Sequence, residues 1–224
     1  MSTQRRLVIF DVDGTLIDSQ DHIHAAMAHA FAATGQVLPP RQMVLSIVGL
    51  SLGEAVARLV PELAEGVRGD IVDAYKASFG QLRAQSLSAL YPGARAALDN
   101  LRARKTVVLG MATGKSRRGL DHVLAGHALG GYFATQQVAD DHPSKPHPSM
   151  ILRALAETGV AADHTVMIGD TSFDMEMGKA AGVRTIGVGW GYHPPEELAA
   201  VGADLIVNTY ADLLPALDRL WGQG

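Results

Sequence analysis

The chain has 224 residues, 47% of them hydrophobic, which is enough to bury one sizeable core and a small second lobe. The formal net charge is −4 and no stretch gathers basic residues with aromatics, so we do not expect a nucleic-acid partner. Cysteine is absent, which excludes disulfides, thiolate catalysis and cysteine-bound zinc. The first apolar run is too short for a signal peptide or a membrane span, so we expect a cytoplasmic protein without membrane contact.

Short apolar runs alternate with helical patterns along most of the chain. The predicted strands lie at 7–11, 106–114, 165–172, 185–190 and 203–209. The predicted helices of the same region lie at 92–103, 117–124, 148–158, 174–181, 195–201 and 210–220. Continuous apolar strands that alternate with helices are typical of a parallel sheet covered on both faces. The predicted fold class is therefore α/β, with a Rossmann-like parallel sheet.

One segment does not alternate. Residues 18–86 have no convincing strand pattern, and apolar residues spaced by three and four predict helices there. We therefore predict a small α-helical cap domain at 18–86, inserted after the first strand, and an α/β catalytic core at 1–17 and 87–224. The cap should lie over the carboxyl ends of the strands, where open α/β sheets bind ligands.

Four separated segments place polar residues where predicted strands end or in the loops beside them. They contribute Asp11 and Asp13, Thr113 and Gly114, Lys145, and Asp170 and Asp174. Because the carboxyl ends of parallel strands share one edge of the sheet, we expect these residues to converge. Crowded carboxylates raise one another's pKa unless a cation joins them, which predicts a metal site. All-oxygen ligation favours Mg²⁺, with Asp11 and Asp170 as direct ligands.

The remaining groups suit the binding and transfer of a phosphoryl group. The Thr113 hydroxyl can donate a hydrogen bond, Gly114 can bring a backbone N–H close, and Lys145 can balance the charge. Asp11 can use one carboxylate oxygen as a nucleophile while the other holds the metal. Asp13 suits a general acid that protonates the leaving alkoxide and then a general base that activates water.

Four motifs resemble, in order, those of the haloacid dehalogenase superfamily. They are DVDGTL at 11–16, ATG at 112–114, KPHP at 145–148 and GDTSFD at 169–174. The helical insertion after the first motif resembles the mobile cap of the phosphoglycolate phosphatase-like branch. GLSL at 49–52 and GVGWGYHPPEEL at 187–198 are similar to stretches of that branch as well.

The resemblance implies an activity and a role for each motif residue. The activity is Mg²⁺-dependent hydrolysis of a small phosphomonoester, phosphoglycolate-like, through an aspartyl phosphate. It implies Asp11 as the nucleophile and Asp13 as the acid/base. Thr113 and Lys145 would stabilise the phosphate. Asp170 would be a metal ligand and Asp174 a carboxylate that supports the metal. The backbone carbonyl of Asp13 would also meet the metal.

Several alternatives stay open at this point. A sugar-phosphate mutase, a pyrophosphatase or a nucleotidase would carry the same motifs, and a phosphorylated receiver-type signalling module is a remote alternative. Asp13 argues against a dehalogenase, which needs no acid for its leaving group. Asp174 could simply cap the helix that follows it. Lys115 is expected to be a solvated residue at the start of a helix.

Substrate choice should depend on the cap. Its basic residues are the candidates for contacts with the substrate, although the sequence does not indicate which of them face inward. These candidates are Arg41, Arg58, Arg68, Lys76 and Arg83. The expected partner is a small phosphorylated metabolite.

Overall fold

The chain forms one six-stranded parallel sheet in a computed structural model that describes residues 4–222, apart from the side chains at 81 and 83–85. The strands are β1 (Arg6–Phe10), β2 (Val107–Thr113), β3 (Thr135–Val138), β4 (Thr165–Gly169), β5 (Arg184–Val188) and β6 (Leu205–Val207). Their order in the sheet is β3-β2-β1-β4-β5-β6. The chain reverses direction across the sheet at β1, which lies between β2 and β4, and such a switch point forms a ligand-binding crevice at the carboxyl ends of the strands.

Ten α-helices are present in the described residues. Five of them lie between β1 and β2: α1 (Gln20–Ala33), α2 (Arg41–Ser46), α3 (Leu52–Leu59), α4 (Glu65–Gln85) and α5 (Ala94–Ala103). The others are α6 (Arg117–Gly126), α7 (Ser149–Thr158), α8 (Ser172–Ala180), α9 (Pro195–Ala200) and α10 (Tyr210–Trp221). None of the helices in residues 4–222 has the length and apolar character that a bilayer crossing requires.

The sheet is buried on both faces because alternate residues of its strands enter different clusters. Val8 and Phe10 of β1 pack with apolar residues of α5, α6 and α10. Leu7 and Ile9 pack on the opposite face with residues of α7 and α8. All four side chains are fully buried. The predicted Rossmann-like α/β class is thus confirmed, and the continuous apolar run of β1 reflects burial on both faces.

Helices α1 to α4, which we call the helical segment (residues 20–85), pack around an apolar cluster that Phe173 of α8 also joins. This cluster includes Met27 and Phe31 from α1, Val56 from α3 and Ile71 from α4. The chain enters the helical segment before α1 and leaves it after α4. These two connecting stretches lie side by side, since the N–H of Asp18 donates to Ala89 O at 2.9 Å. The domain boundaries at 18–86 remain a prediction.

One strand was not predicted. β3 has the sequence Thr-Gln-Gln-Val and lies at the edge of the sheet beside β2. A short strand with two glutamines lacks the apolar run by which the other strands were recognised. The predicted helices agree with α5 to α10 to within about two residues at each end, which is the usual uncertainty of helix boundaries.

Candidate active site

The three central strands bring the predicted site residues to one edge of the sheet. Asp11 follows β1 directly, Thr113 ends β2, and Asp170 follows β4. The backbone N–H of Asp11 donates to Ile168 O at 2.9 Å, which extends the ladder between β1 and β4 by one residue. Asp11, Thr113 and Asp170 are all buried, at 1% exposure or less.

A cluster of three carboxylates forms around Lys145. Asp11, Asp170 and Asp174 each place a carboxylate oxygen within 4.8 Å of the others. The Nζ atom of Lys145 lies 2.9 Å from Oδ1 of Asp11 and 2.6 Å from Oδ1 of Asp174, and its side chain is fully buried. The structure therefore unites residues that are far apart in the sequence.

Asp170 is held in place by two donors from other parts of the chain. The Thr15 hydroxyl donates to its Oδ1 at 2.7 Å, and the backbone N–H of Tyr192 donates to its Oδ2 at 2.9 Å. Gly14 adopts φ +79°, and a Cβ there would overlap the Asp170 carboxylate and the Tyr192 ring. Gly14 is therefore required both for the turn after β1 and for close approach to Asp170.

Asp174 has two functions at once. Its Oδ2 accepts hydrogen bonds from the backbone N–H of Thr171 at 3.1 Å and from the Thr171 hydroxyl at 2.7 Å. The backbone N–H of Asp174 in turn donates to Thr171 Oγ1 at 3.4 Å, and this bond together with that from the Thr171 N–H forms a capping box at the start of α8. Its Oδ1 binds Lys145. The alternative in which Asp174 only caps a helix is therefore incomplete, because the same carboxylate also belongs to the buried cluster.

Burial changes the ionisation of this cluster. Burial raises the pKa of Asp11 to about 7, an effect that Lys145 opposes and Asp174 reinforces. Burial, together with Asp11 and Asp174, also raises the pKa of Asp170 well above its usual value. Burial alone would disfavour the Lys145 ammonium, but the two adjoining carboxylates raise its pKa above the ordinary value.

The donor set fits a divalent cation. Three carboxylates face the single ammonium of Lys145, which leaves two uncompensated negative charges when all three are ionised. The Oδ2 atom of Asp11 is buried and has no hydrogen-bond partner among the described residues. Buried polar atoms without partners are rare, and hard oxygen ligands suit Mg²⁺ or a similar ion. Asp11, Asp170 and Asp174 could therefore hold a metal.

Asp13 points away from this cluster and pairs with Lys115, a residue that sequence analysis assigned to solvent. The Lys115 Nζ lies 2.6 Å from Oδ2 of Asp13, and the Ser19 hydroxyl donates to Oδ1 of the same carboxylate. Lys115 directly follows Thr113 and Gly114, and this position next to a predicted motif is the signal in the sequence that could have assigned it to the site. The ring of Phe79 in α4 lies 5.4 Å from Nζ and helps to bury it, which local sequence does not reveal.

Thr113 and Gly114 lie where the sheet meets the helical segment. A Cβ on Gly114 would lie 2.6 Å from the carbonyl oxygens of both Gly49 and Leu50. The GLSL stretch at 49–52 therefore approaches the end of β2 closely enough to require glycine there.

A cavity of about 500 Å³ opens beside these residues. Asp11, Asp13, Thr113 and Gly114 line it from the sheet side, and the helical segment supplies most of the opposite wall. Lys145 does not line the cavity, and its Nζ contacts the carboxylates of Asp11 and Asp174 instead.

The basic candidates of the predicted cap differ in position. Lys76 lines the cavity. Arg41 pairs with Asp21 at 2.7 Å on the surface, Arg58 stacks on the Phe173 ring, and Arg68 points towards Pro61 O. The side chain of Arg83 lies outside the described residues.

The match to a hydrolase family and the relatives named as phosphatases make this α/β protein, with its buried carboxylate cluster and the cavity beside it, a hydrolase of the phosphatase class. The haloacid dehalogenase-like hydrolase family matches residues 8–188, and the chain belongs to this family, in its phosphoglycolate phosphatase-like branch. The resemblance of the four motifs is thereby confirmed.

Similar proteins cover nearly the whole chain. "Probable phosphatase IndB" of Dickeya dadantii is 34% identical over 96% of this chain and 94% of its own. "Phosphoglycolate phosphatase 1" of Pseudomonas aeruginosa is 31% identical over 96% of this chain and 80% of its own. The solved structure of a hydrolase from Pseudomonas syringae superposes with a TM-score of 0.85 at 25% identity, over 96% of this chain and 99% of that one.

Proposed function

We propose that the protein is a Mg²⁺-dependent phosphatase that hydrolyses a small phosphomonoester through an aspartyl phosphate on Asp11. The observation that carries the proposal is the buried cluster of Asp11, Asp170 and Asp174 beside a cavity that Asp13 also lines. Phosphatase relatives, one of them named for phosphoglycolate, support this reaction class.

Asp11, Asp170 and Asp174 would hold the metal, the last of them in a supporting position, and the backbone carbonyl of Asp13 is a further proposed ligand. When bound, the cation would neutralise charge on the phosphoryl group and keep Asp11 ionised. Lys145 holds Asp11 and Asp174 at fixed separation through its two ion pairs. Its proposed role is to orient the nucleophile and to stabilise the charge that spreads over the transferring group.

In the first step, one carboxylate oxygen of Asp11 attacks phosphorus and the bond from phosphorus to the leaving oxygen breaks. Asp13 donates a proton to that oxygen, so that an alcohol leaves. The Thr113 hydroxyl and the Gly114 N–H are proposed to bind the phosphoryl oxygens from the end of β2. Both residues line the same cavity as the two aspartates, which supports this assignment.

In the second step, Asp13 takes a proton from a water molecule, and the water oxygen attacks phosphorus. The bond between phosphorus and Asp11 breaks, which releases inorganic phosphate and restores both carboxyl groups. The helical segment is proposed to act as the cap that excludes bulk water during these steps, because it forms the wall opposite Asp11.

Replacement of Asp11 by Asn tests the nucleophile. Asp11→Asn is expected to abolish turnover of p-nitrophenyl phosphate, and a chelator should abolish that of the unaltered protein. Borohydride should convert the acyl phosphate of the unaltered protein to homoserine at position 11, which peptide mass spectrometry detects. Asp18→Asn, the same change at an exposed aspartate seven residues on, is the matched control. Full turnover by Asp11→Asn would refute the mechanism.

The open alternatives are separated by their products. A sugar-phosphate mutase converts a hexose phosphate to its isomer in the presence of the bisphosphate and releases no free phosphate. A pyrophosphatase releases two phosphates from pyrophosphate, whereas a receiver module shows no multiple turnover. Release of phosphate and alcohol in equal amounts from phosphomonoesters is the outcome that the proposed function requires.

A further inference from the structure

The cavity has two chemically different sides. The sheet side contributes Asp11, Asp13 and Thr113, which the proposed reaction employs. The helical segment contributes mostly apolar side chains, which include Met27, Leu52, Val72, Tyr75 and Phe79, together with the one charged side chain of Lys76. A polar floor under an apolar roof is typical of a pocket that fixes one end of a ligand by polar contacts and buries the rest.

The apolar roof begins close to Asp13, the residue that is proposed to donate a proton to the leaving group. Asp13 binds the Lys115 ammonium at 2.6 Å, and that ammonium lies 5.4 Å from the centre of the Phe79 ring. The ring of Tyr75 stacks on Phe79 with centroids 5.3 Å apart and planes 13° from parallel. A leaving oxygen within hydrogen-bond reach of Asp13 would therefore lie in the part of the cavity that this pair of rings lines.

The volume of the cavity exceeds what the smallest phosphate esters need. It is about 500 Å³. Phosphoglycolate has about nine non-hydrogen atoms, which would occupy at most about 270 Å³ even at the loose packing of liquid water. A two-carbon acid would contact only a small part of the apolar side chains that line the roof, whereas a larger leaving group could cover more of them.

We propose that the natural substrate is a phosphomonoester whose leaving alcohol carries a flat apolar ring, with the ring placed against Phe79, Tyr75 and Val72. This inference rests on the proposed function for the reaction and adds the class of leaving group. Aromatic surfaces favour flat partners in offset or edge contact, and burial of a ring from water supplies the affinity.

Binding and turnover are measured with a matched pair of esters, 2-phenylethyl phosphate and ethyl phosphate. Both leave as primary alcohols of similar basicity, so any preference reports recognition of the ring. Calorimetry on Asp11→Asn with Mg²⁺ gives Kd for each ester in the absence of turnover. We expect Kd for the phenyl ester to be at least about tenfold lower, and kcat/KM of the unaltered protein to be higher by a similar factor.

Two variants locate the ring. Phe79→Ala and Val72→Asn should each reduce the preference between the two esters to below about threefold. Val67→Asn is the matched control, since Val67 is a half-buried valine on the same helix that does not line the cavity. It should retain the full preference. An unchanged preference in both cavity variants would overturn the placement of the ring.

The outcomes separate this inference from the reaction on which it rests. Equal Kd values for the two esters, or tighter binding of phosphoglycolate than of the phenyl ester, would overturn the inference even if every ester is hydrolysed. Absence of turnover with every ester and Mg²⁺ would overturn the proposed reaction, while the ratio of the Kd values would still decide the class of ligand.

Discussion

The Nζ atom of Lys115 lies 2.6 Å from Oδ2 and 2.7 Å from Oδ1 of Asp13, and the two side chains are only 7% and 11% exposed. This buried pair fixes the direction of the carboxylate that is proposed to move protons. Replacement of Lys115 by Met should therefore lower kcat/KM about 10- to 100-fold for an alkyl phosphate. The loss for p-nitrophenyl phosphate should stay below about threefold, because nitrophenolate leaves with little need for a proton.

The difference between the two substrates is what identifies Lys115 as a positioning residue. Lys105→Met, the same change at an exposed lysine, should leave both rates unaltered. An equal loss for both substrates in Lys115→Met would contradict positioning and would indicate direct contact with the phosphate instead.

The raised pKa of Asp11 makes stability without metal depend on pH. The folded pKa is about 7 and the ordinary value is 3.8, so the folded state holds the proton more tightly. The penalty for ionising Asp11 is therefore absent below about pH 4, grows between about pH 4 and 7, and is complete above that. In chelator, Asp11→Asn should be the more stable protein at pH 8, by up to about 4 kcal/mol, and the two should converge at pH 4.

Urea unfolding of both proteins in chelator across this range provides the measurement, with Asp18→Asn as the control for a change in charge alone. A stability difference that does not vary with pH would show that Asp11 is ionised throughout and would contradict the assigned pKa.

The sequence predicted the sheet and the convergence of its aspartates because both follow from local pattern. Continuous apolar runs mark strands such as β1 and β4, and parallel connections place their carboxyl ends together. Asp11 and Asp170 could therefore be assigned to one site from the sequence, because each lies where a predicted strand of the same sheet ends. The strand β3 escaped detection because its Gln-Gln pair has no such run.

Contacts between the sheet side and the helical segment could not be predicted in the same way. Phe173 lies within the last motif, on α8, and its pattern is that of an ordinary core residue, yet it packs in the cluster of the helical segment. Tyr192 lies within a stretch that the resemblance had marked, but only the fold reveals that its N–H binds Asp170. Lys115 is covered by Phe79 from α4, so its burial depends on tertiary structure alone.

The close approach of Gly114 to the backbone of Gly49 and Leu50 predicts that substrate binding depends on this contact between the sheet and the helical segment. In Gly114→Ala, the added Cβ would lie 2.6 Å from two backbone carbonyl oxygens, those of Gly49 and Leu50, which cannot rotate away as a side chain would. The helical segment must therefore shift from the end of β2. We expect KM to rise at least about tenfold, since displacement of about 1 Å already disturbs substrate positioning.

Gly130→Ala is the control for the loss of a glycine, because a Cβ at Gly130 meets nothing within 4 Å. Steady-state kinetics of the two variants should differ in KM, and their thermal unfolding should establish that both are folded. A KM for Gly114→Ala within twofold of the original would contradict the tight contact.

The hydrogen bond from Thr15 to Asp170 predicts a change in metal affinity without a change in shape. The hydroxyl donates to Oδ1 at 2.7 Å, while the Thr15 carbonyl accepts from Tyr210 Oη at 2.7 Å and from Trp190 Nε1 at 3.2 Å. Thr15→Val keeps the volume and both carbonyl contacts but removes the donor. The Mg²⁺ concentration for half-maximal activity should rise about 10- to 100-fold, because partners that orient a ligand have effects of that size. Thr15→Ser keeps a hydroxyl at this position and should retain most of the Mg²⁺ affinity. Equal Mg²⁺ requirements for the Val and Ser variants would refute a role of this hydrogen bond in metal binding.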